Sequence, residues 1–278
     1  MADEDDELLG FDRRKALLAI GLAVLLAVAA FALLGKLADY GKLRHAVARA
    51  DKAWFPLALA GEVLAYAGYI LAYRDVARAD GGPRLSVWTA TRVVGLGFGA
   101  FVVGSSAGGL AVDFWALKRT GLKAHEAARR VLALNTFEWG VLAWFAAGAA
   151  VAVLAGRGKG APLAMTLGWI VVVPLCTLAA AWVSQPERIE RLVQLGGEKR
   201  RPRRFALGAW ALWLLDKAKT GLADAVGGVG VVRHMLARPR RHLAGLLGFP
   251  LYWAGDLVTI YAGLRAFGAH ISPTPLIL

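Results

Sequence analysis

The chain has only one cysteine, Cys176, so no disulfide can form within it. Its five histidines (His45, His125, His234, His242 and His270) show no metal-ligand spacing, and no metal site is expected. No nucleophile–base arrangement is visible. The run Gly95-x-Gly97-x-Gly99 lies in an apolar stretch without a preceding strand, so it is not a nucleotide loop. An enzyme is therefore not expected, nor is a cofactor. The two-residue alternation of a membrane barrel is missing as well. Acidic residues are scarce beside basic ones, 20 against 33, for a net charge of +13. In a soluble chain this surplus would suggest nucleic acid. Here 58% of the residues are apolar and the mean hydropathy is +0.51, above the composition of a soluble domain. The excess is gathered in runs of about 20 residues, each long enough to cross a ~30 Å hydrocarbon core. The expectation is an all-α, polytopic transmembrane helical bundle. Its cations belong to cytoplasmic loops, and no nucleic-acid partner is expected.

Residues 1–15 form an acidic tail, expected to be disordered, with a basic flank at Arg13, Arg14 and Lys15. Residues 16–278 read as one transmembrane domain. Spans are expected at 16–34, 54–73, 131–154, 163–182 and 243–264. An amphipathic connection fills 35–53, and residues 74–84 read as a polar turn. Pro174 is expected to kink the fourth of these spans. Residues 205–236 mix tryptophans with Asp216, Lys217, Lys219 and Asp224, and read as an interfacial helix in the headgroup plane.

The stretch from Thr91 to Trp139 is unlike the others. Arg92 heads an apolar run rich in Gly95, Gly97, Gly99, Gly104, Ser105, Ser106, Gly108 and Gly109. The run stops at Asp113 and gives way to a cationic segment, residues 118–130. A broken segment that lines a polar cavity can use both the glycines and the arginine. Residues 87–109 are therefore expected to form a re-entrant, Gly-rich hairpin. Charge supports this. If the segment dips in and returns, 25 of the 33 Lys and Arg fall on the side of the N-terminus and eight on the other. If it crosses, the thirteen cations of residues 188–241 fall outside. The positive-inside rule prefers the first arrangement, with a cytoplasmic N-terminus. An internal echo agrees with it: Ala67-Gly68 precedes Arg78 as Ala254-Gly255 precedes Arg265, eleven residues on from the alanine in both. Two similar segments of opposite direction suggest an inverted repeat, and Ala/Gly-rich spans also match by chance.

Arg92, the bend at Gly104 to Ser106, the Gly108-Gly109 pair and Asp113 resemble the lysylphosphatidylglycerol synthase transmembrane region, or flippase-like domain, family. So do Ala116-Leu117-Lys118-Arg119-Thr120-Gly121 and the helix from Glu126-Ala127 to Glu138. Asp216 to His234, Trp253-Ala254-Gly255-Asp256 and Ala266-Phe267-Gly268 fit the family's second half. The family usually has a proline in the bend, where Gly104-Ser105 stands here. A second bend would begin where this chain stops at Leu278, so either the chain is truncated or a partner closes the cavity. No soluble aminoacyl-transferase domain is present, so lysyl transfer is not expected. The resemblance implies a multi-pass protein of the bacterial inner membrane, and a membrane phospholipid or lipid-linked intermediate as partner.

Headgroup binding is expected of Arg92, Gly104, Ser105, Ser106, Gly108, Gly109 and Asp113. A guanidinium grips phosphate bidentately, and glycines let backbone approach a headgroup. The same residues serve snorkelling and close helix packing in other membrane proteins. Glu62, Asn135, Glu138 and Asp256 are intramembrane polar groups that need a partner, water or a proton. For Glu138 the alternatives are pairing with Arg92, a proton site or helix packing. Two functions stay open: a flippase-like protein that binds or moves a phosphate-bearing lipid, and a non-transporting subunit that scaffolds a cell-envelope enzyme or supplies it with lipid. A membrane-protein partner or a homo-oligomer fits either.

Overall fold

The computed structural model describes residues 40–157, 162–185, 187–188, 206–269 and 273–278, with Gly21, Leu25 and Ala29. The expected acidic tail, most of the first span and most of the basic loop before residue 206 lie outside the described residues. Among those described there are helices and no strands. They are α1 (Tyr40–Arg49), α2 (Phe55–Arg78), α3 (Val87–Arg119), α4 (Ala124–Ala152), α5 (Leu163–Val183), α6 (Ala206–Ala237), α7 (Leu243–Ala266) and the short α8 (Pro273–Ile277).

Helices α2, α4, α5 and α7 are long and apolar enough to cross a membrane, and they coincide with four of the expected spans. Even the shortest, α5 with 21 residues, is ~32 Å long. It carries Pro174 in its interior, and α7 carries Pro250. Much of the outer surface is apolar. Leu167, Val171, Leu175 and Leu178 of α5 are exposed, as are Leu59 and Val63 of α2. A lipid environment accounts for so wide an apolar exterior, which a soluble monomer rarely shows.

The tightest contact is between α2 and α7, which run antiparallel. A Cβ added at Gly68 would lie 2.5 Å from the Gly248 carbonyl oxygen, and one at Gly248 would lie 2.7 Å from the Ala72 nitrogen. Toward the other end, a Cβ at Gly61 would lie 2.7 Å from the Gly255 carbonyl oxygen. Small residues one to two turns apart on both helices let the backbones touch. In a membrane such dispersion contacts replace the hydrophobic drive for association. At one end, the Asp51 amide donates to the Ala266 carbonyl at 2.8 Å, and Arg265 lies over the Trp54 ring. At the other end lie Arg74, Asp75, Arg78 and Arg241, and we call this the basic end.

Two boundaries differ from the sequence expectation, for one reason. Residues 74–84 were expected to be a polar turn, but α2 continues to Arg78. The span expected at 131–154 begins earlier, within the cationic segment: α3 runs to Arg119 and α4 starts at Ala124. In both places polar side chains are satisfied inside the protein. Asp75 is only 1% exposed. It accepts from the Gly245 amide at 2.6 Å and from Arg78 Nε at 2.5 Å, and it pairs with His242 Nδ1 at 3.1 Å. A carboxylate of one helix thereby caps the N-terminus of another, where the helix dipole favours an anion. Arg130 does the reverse. It is buried, and its guanidinium donates to the carbonyls of Ala77 at 3.1 Å, Ala79 at 2.7 Å and Glu126 at 3.2 Å. This closes the C-terminus of α2 with a cation. Gly82 makes room for that guanidinium, since a Cβ there would lie 2.6 Å from a terminal nitrogen of Arg130.

Helix α6 packs its second half on the start of α4. Asp224 faces Arg129 Nε at 3.5 Å, and Gly228 lies against the Ala133 amide. His234 of α6 reaches Asp80 at 3.0 Å. The buried core sits toward the basic end. It joins Tyr73 and Val76 of α2, Val93, Val94 and Leu117 of α3, Leu134 of α4, Met235 of α6 and Phe249 of α7.

Candidate functional site

α3 is helical from Val87 to Arg119, yet it is not a straight rod. A Cβ added at Gly108 would strike the Ala100 carbonyl oxygen, and one at Gly97 would lie 3.7 Å from Asp113 Oδ1. On a straight helix, residues eight and sixteen apart would be ~12 and ~24 Å from each other. The helix therefore doubles back near residues 103–105. Its first arm is the apolar Val87–Val102, and its second covers residues 106–119. At ~24 and ~21 Å, both arms fall short of a ~30 Å core. Both feet of the doubled helix stand at the basic end. Arg74 Nε donates to the Leu85 carbonyl at 3.0 Å before the first arm. After the second arm the chain turns at Gly121, where φ is +91°, and enters α4, whose Arg130 clamps the end of α2. Ser86 opens the first arm as an N-cap, its Oγ accepting from the Thr89 amide at 3.1 Å.

Between the two arms, α4 and α7 lies a cavity of about 270 Å³. The first arm lends it Gly97, Phe98 and Phe101, and the second lends Ser106, Gly109, Leu110 and Asp113. Helix α4 adds Asn135, Glu138 and Trp139, α7 adds Tyr252 and Trp253, and α2 adds Tyr69. The aromatic rings brace one another. Tyr69 packs edge-on against Phe98 at 5.2 Å and Tyr252 at 5.3 Å, and Trp253 Nε1 donates to the Glu138 carbonyl at 2.8 Å. Edge-to-face packing of this kind fixes ring positions. Phe101 and Trp139 are exposed, whereas Asp113 is only 7% exposed. The cavity thus grades from an apolar rim to an acidic floor. The Asp113 carboxyl lies beside Gly97 of the facing arm, at ordinary van der Waals distance from a Cβ placed there.

Of the residues expected from sequence, Ser106, Gly109, Asp113, Asn135 and Glu138 meet in this cavity. Gly108 holds the two arms together by its close approach to Ala100. Gly104 and Ser105 lie where α3 reverses, and their side chains are outside the described set. Arg92 does not line the cavity; its guanidinium lies 4.7 Å over the Trp88 ring, nearer the foot of the first arm. Glu62 and Asp256 also lie outside the lining, on α2 and α7, about one turn from Tyr66 and Tyr252 respectively. Sequence reasoning missed the aromatic walls. Tyr66 and Tyr69 at i and i+3, with the Tyr252-Trp253 pair, were the available signal, since tyrosines deep in a span seek a polar neighbour.

Apolar helices of spanning length, with a doubled-back helix and a polar cavity beside it, define a polytopic helical membrane protein. The family model for the lysylphosphatidylglycerol synthase TM region matches residues 18–278, and the chain belongs to that family. No curated protein and no solved structure matches it.

Proposed function

We propose that this protein is a flippase-like lipid carrier that takes the headgroup of a phosphate-bearing lipid into the α3 cavity and leaves the tails in the bilayer. The observation that carries the proposal is the cavity's gradient, from Phe101 and Trp139 at an exposed apolar rim to Asp113, Asn135 and Glu138 inside. A volume of about 270 Å³ has room for a polar headgroup and not for acyl chains. Arg92, five residues before Gly97 on the same arm, receives the phosphate at the foot of α3. In this reading α3 is re-entrant from the cytoplasmic face of a bacterial inner membrane and α6 lies at headgroup level. The N-terminus is cytoplasmic. The pairing of Gly61 with Gly255 and of Gly68 with Gly248 supports an inverted repeat, because exchange of the two helices preserves the contact.

The test is reconstitution into liposomes with a headgroup-labelled phospholipid, alongside native mass spectrometry of bound lipid. Wild type should retain phospholipid and carry label between leaflets. Arg92→Lys, which keeps the charge and loses the fork, should retain less. Binding without movement would favour the subunit that scaffolds an enzyme or supplies it with lipid. No bound lipid, or an unchanged population in Arg92→Ala, would sink the headgroup reading.

A further inference from the structure

The polar end of the α3 cavity is acidic. Asp113 enters from the second arm of α3, and Glu138 from α4. Among the described residues, neither carboxyl has an ion pair or a side-chain hydrogen bond. The other titratable groups that face them are acids and phenols. Helix α2 presents Tyr69 and Tyr73, and α7 presents Tyr252. Farther from the basic end come Glu62 on α2 and Asp256 on α7, both within electrostatic reach of Tyr252. Arg92, on the first arm, lies outside the lining. The rest of the wall carries no charge: it is glycine, aromatic ring, Val94 and Leu110, with Ser106 and Asn135 as its neutral polar groups.

Two carboxylates cannot both stay charged in such a place. Each is withdrawn from bulk water by the aromatic wall, and each repels the other's charge. Neutralisation must come from a bound cation or from a proton, and among the described residues no protein cation lines the cavity. We infer that Asp113 and Glu138 form a proton-binding site which holds one proton between them when the cavity is empty, and that this proton is the ion coupled to lipid movement. The exchange is simple acid–base chemistry. The O–H bond of one carboxylic acid breaks, the proton passes to water at the cavity mouth, and the carboxylate left behind is stabilised only while water or a ligand fills the cavity. The coupling rests on the function proposed above; the proton site does not.

The two parts are tested separately. Infrared difference spectra of the protein in lipid nanodiscs should show a carboxylic-acid carbonyl band at neutral pH, where free carboxyls are ionised. The band should vanish in the isosteric double variant Asp113→Asn/Glu138→Gln and persist in Glu62→Gln/Asp256→Asn. In each single variant of the pair, the remaining acid should ionise at lower pH, because its charged neighbour is gone. Absence of the band in wild type, its survival in the double variant, or an unmoved titration in both single variants would overturn the proton site. In liposomes, a pH gradient should drive labelled lipid across in wild type and not in the double variant. Lipid movement indifferent to the gradient would overturn the coupling and leave the infrared result to decide the site. If no lipid moves at all, the carrier reading and the coupling fall together, and the spectra alone judge the pair.

Discussion

Two side chains, Asp75 and Arg130, close helix ends that belong to other helices. Asp75 holds the Gly245 amide in the first turn of α7, and Arg130 holds the Ala77 and Ala79 carbonyls at the end of α2. Neither was singled out in the sequence, where they read as a charge in a polar turn and part of a cationic run. Removing Asp75 leaves the Gly245 amide and His242 without their acceptor in a buried place. Asp75→Ala should therefore cost about 3 kcal/mol or more of stability in detergent, read as a lowered thermal midpoint. Arg130→Lys should cost about 1–2 kcal/mol, because a single ammonium cannot reach three carbonyls held by a planar fork. If Arg130→Lys unfolds at the wild-type temperature, the clamp is not a stabilising feature.

Among the elements, the α2–α7 pair is the least forgiving. Gly248→Val would push a branched side chain into the backbone of Gly68 and Ala72, where no flexible side chain can yield. Overpacking of a close contact typically costs about 1–3 kcal/mol, and here the helices must also part. Gly263, on the same helix, meets open space, so Gly263→Ala should be neutral or slightly stabilising. Thermal unfolding of the two variants side by side checks the claim, and equal effects would refute it. The doubled form of α3 has a similar origin. Gly108 permits the arms to touch, since a Cβ there would strike the Ala100 backbone. A side chain at Gly108 would pry the arms apart.

For the whole molecule the decisive question is sidedness. Both feet of α3 stand at the basic end, so Arg84→Cys and Arg119→Cys should react with a membrane-impermeant thiol reagent from the same face. The background must lack the exposed Cys176. Labelling from opposite faces would mean that α3 spans the membrane, and the re-entrant placement and inverted repeat would fall with it. Charge suggests the re-entrant arrangement independently. A segment that enters and returns on one side keeps the basic residues before it and after it together.

The sequence alone determined the class and the places of four spans, because a ~30 Å apolar slab imposes a length and a composition that can be read without any tertiary contact. It also marked the Gly-rich break at residues 104–109, with Asp113 at its end, and Glu138 as an intramembrane charge, since glycine pairs and intramembrane charges are costly wherever they stand. Packing decided what lies next to what. Glu138 was expected to pair with Arg92, to hold a proton or to pack between helices; it meets Asp113 in a cavity whose lining does not include Arg92. That outcome depends on how α3 folds against α4 and on which way each arm turns, and sequence spacing does not encode either. Helix α2 ends later and α4 begins earlier than hydropathy suggested. Charges that would have ended a helix in water are satisfied by the ends of neighbouring helices.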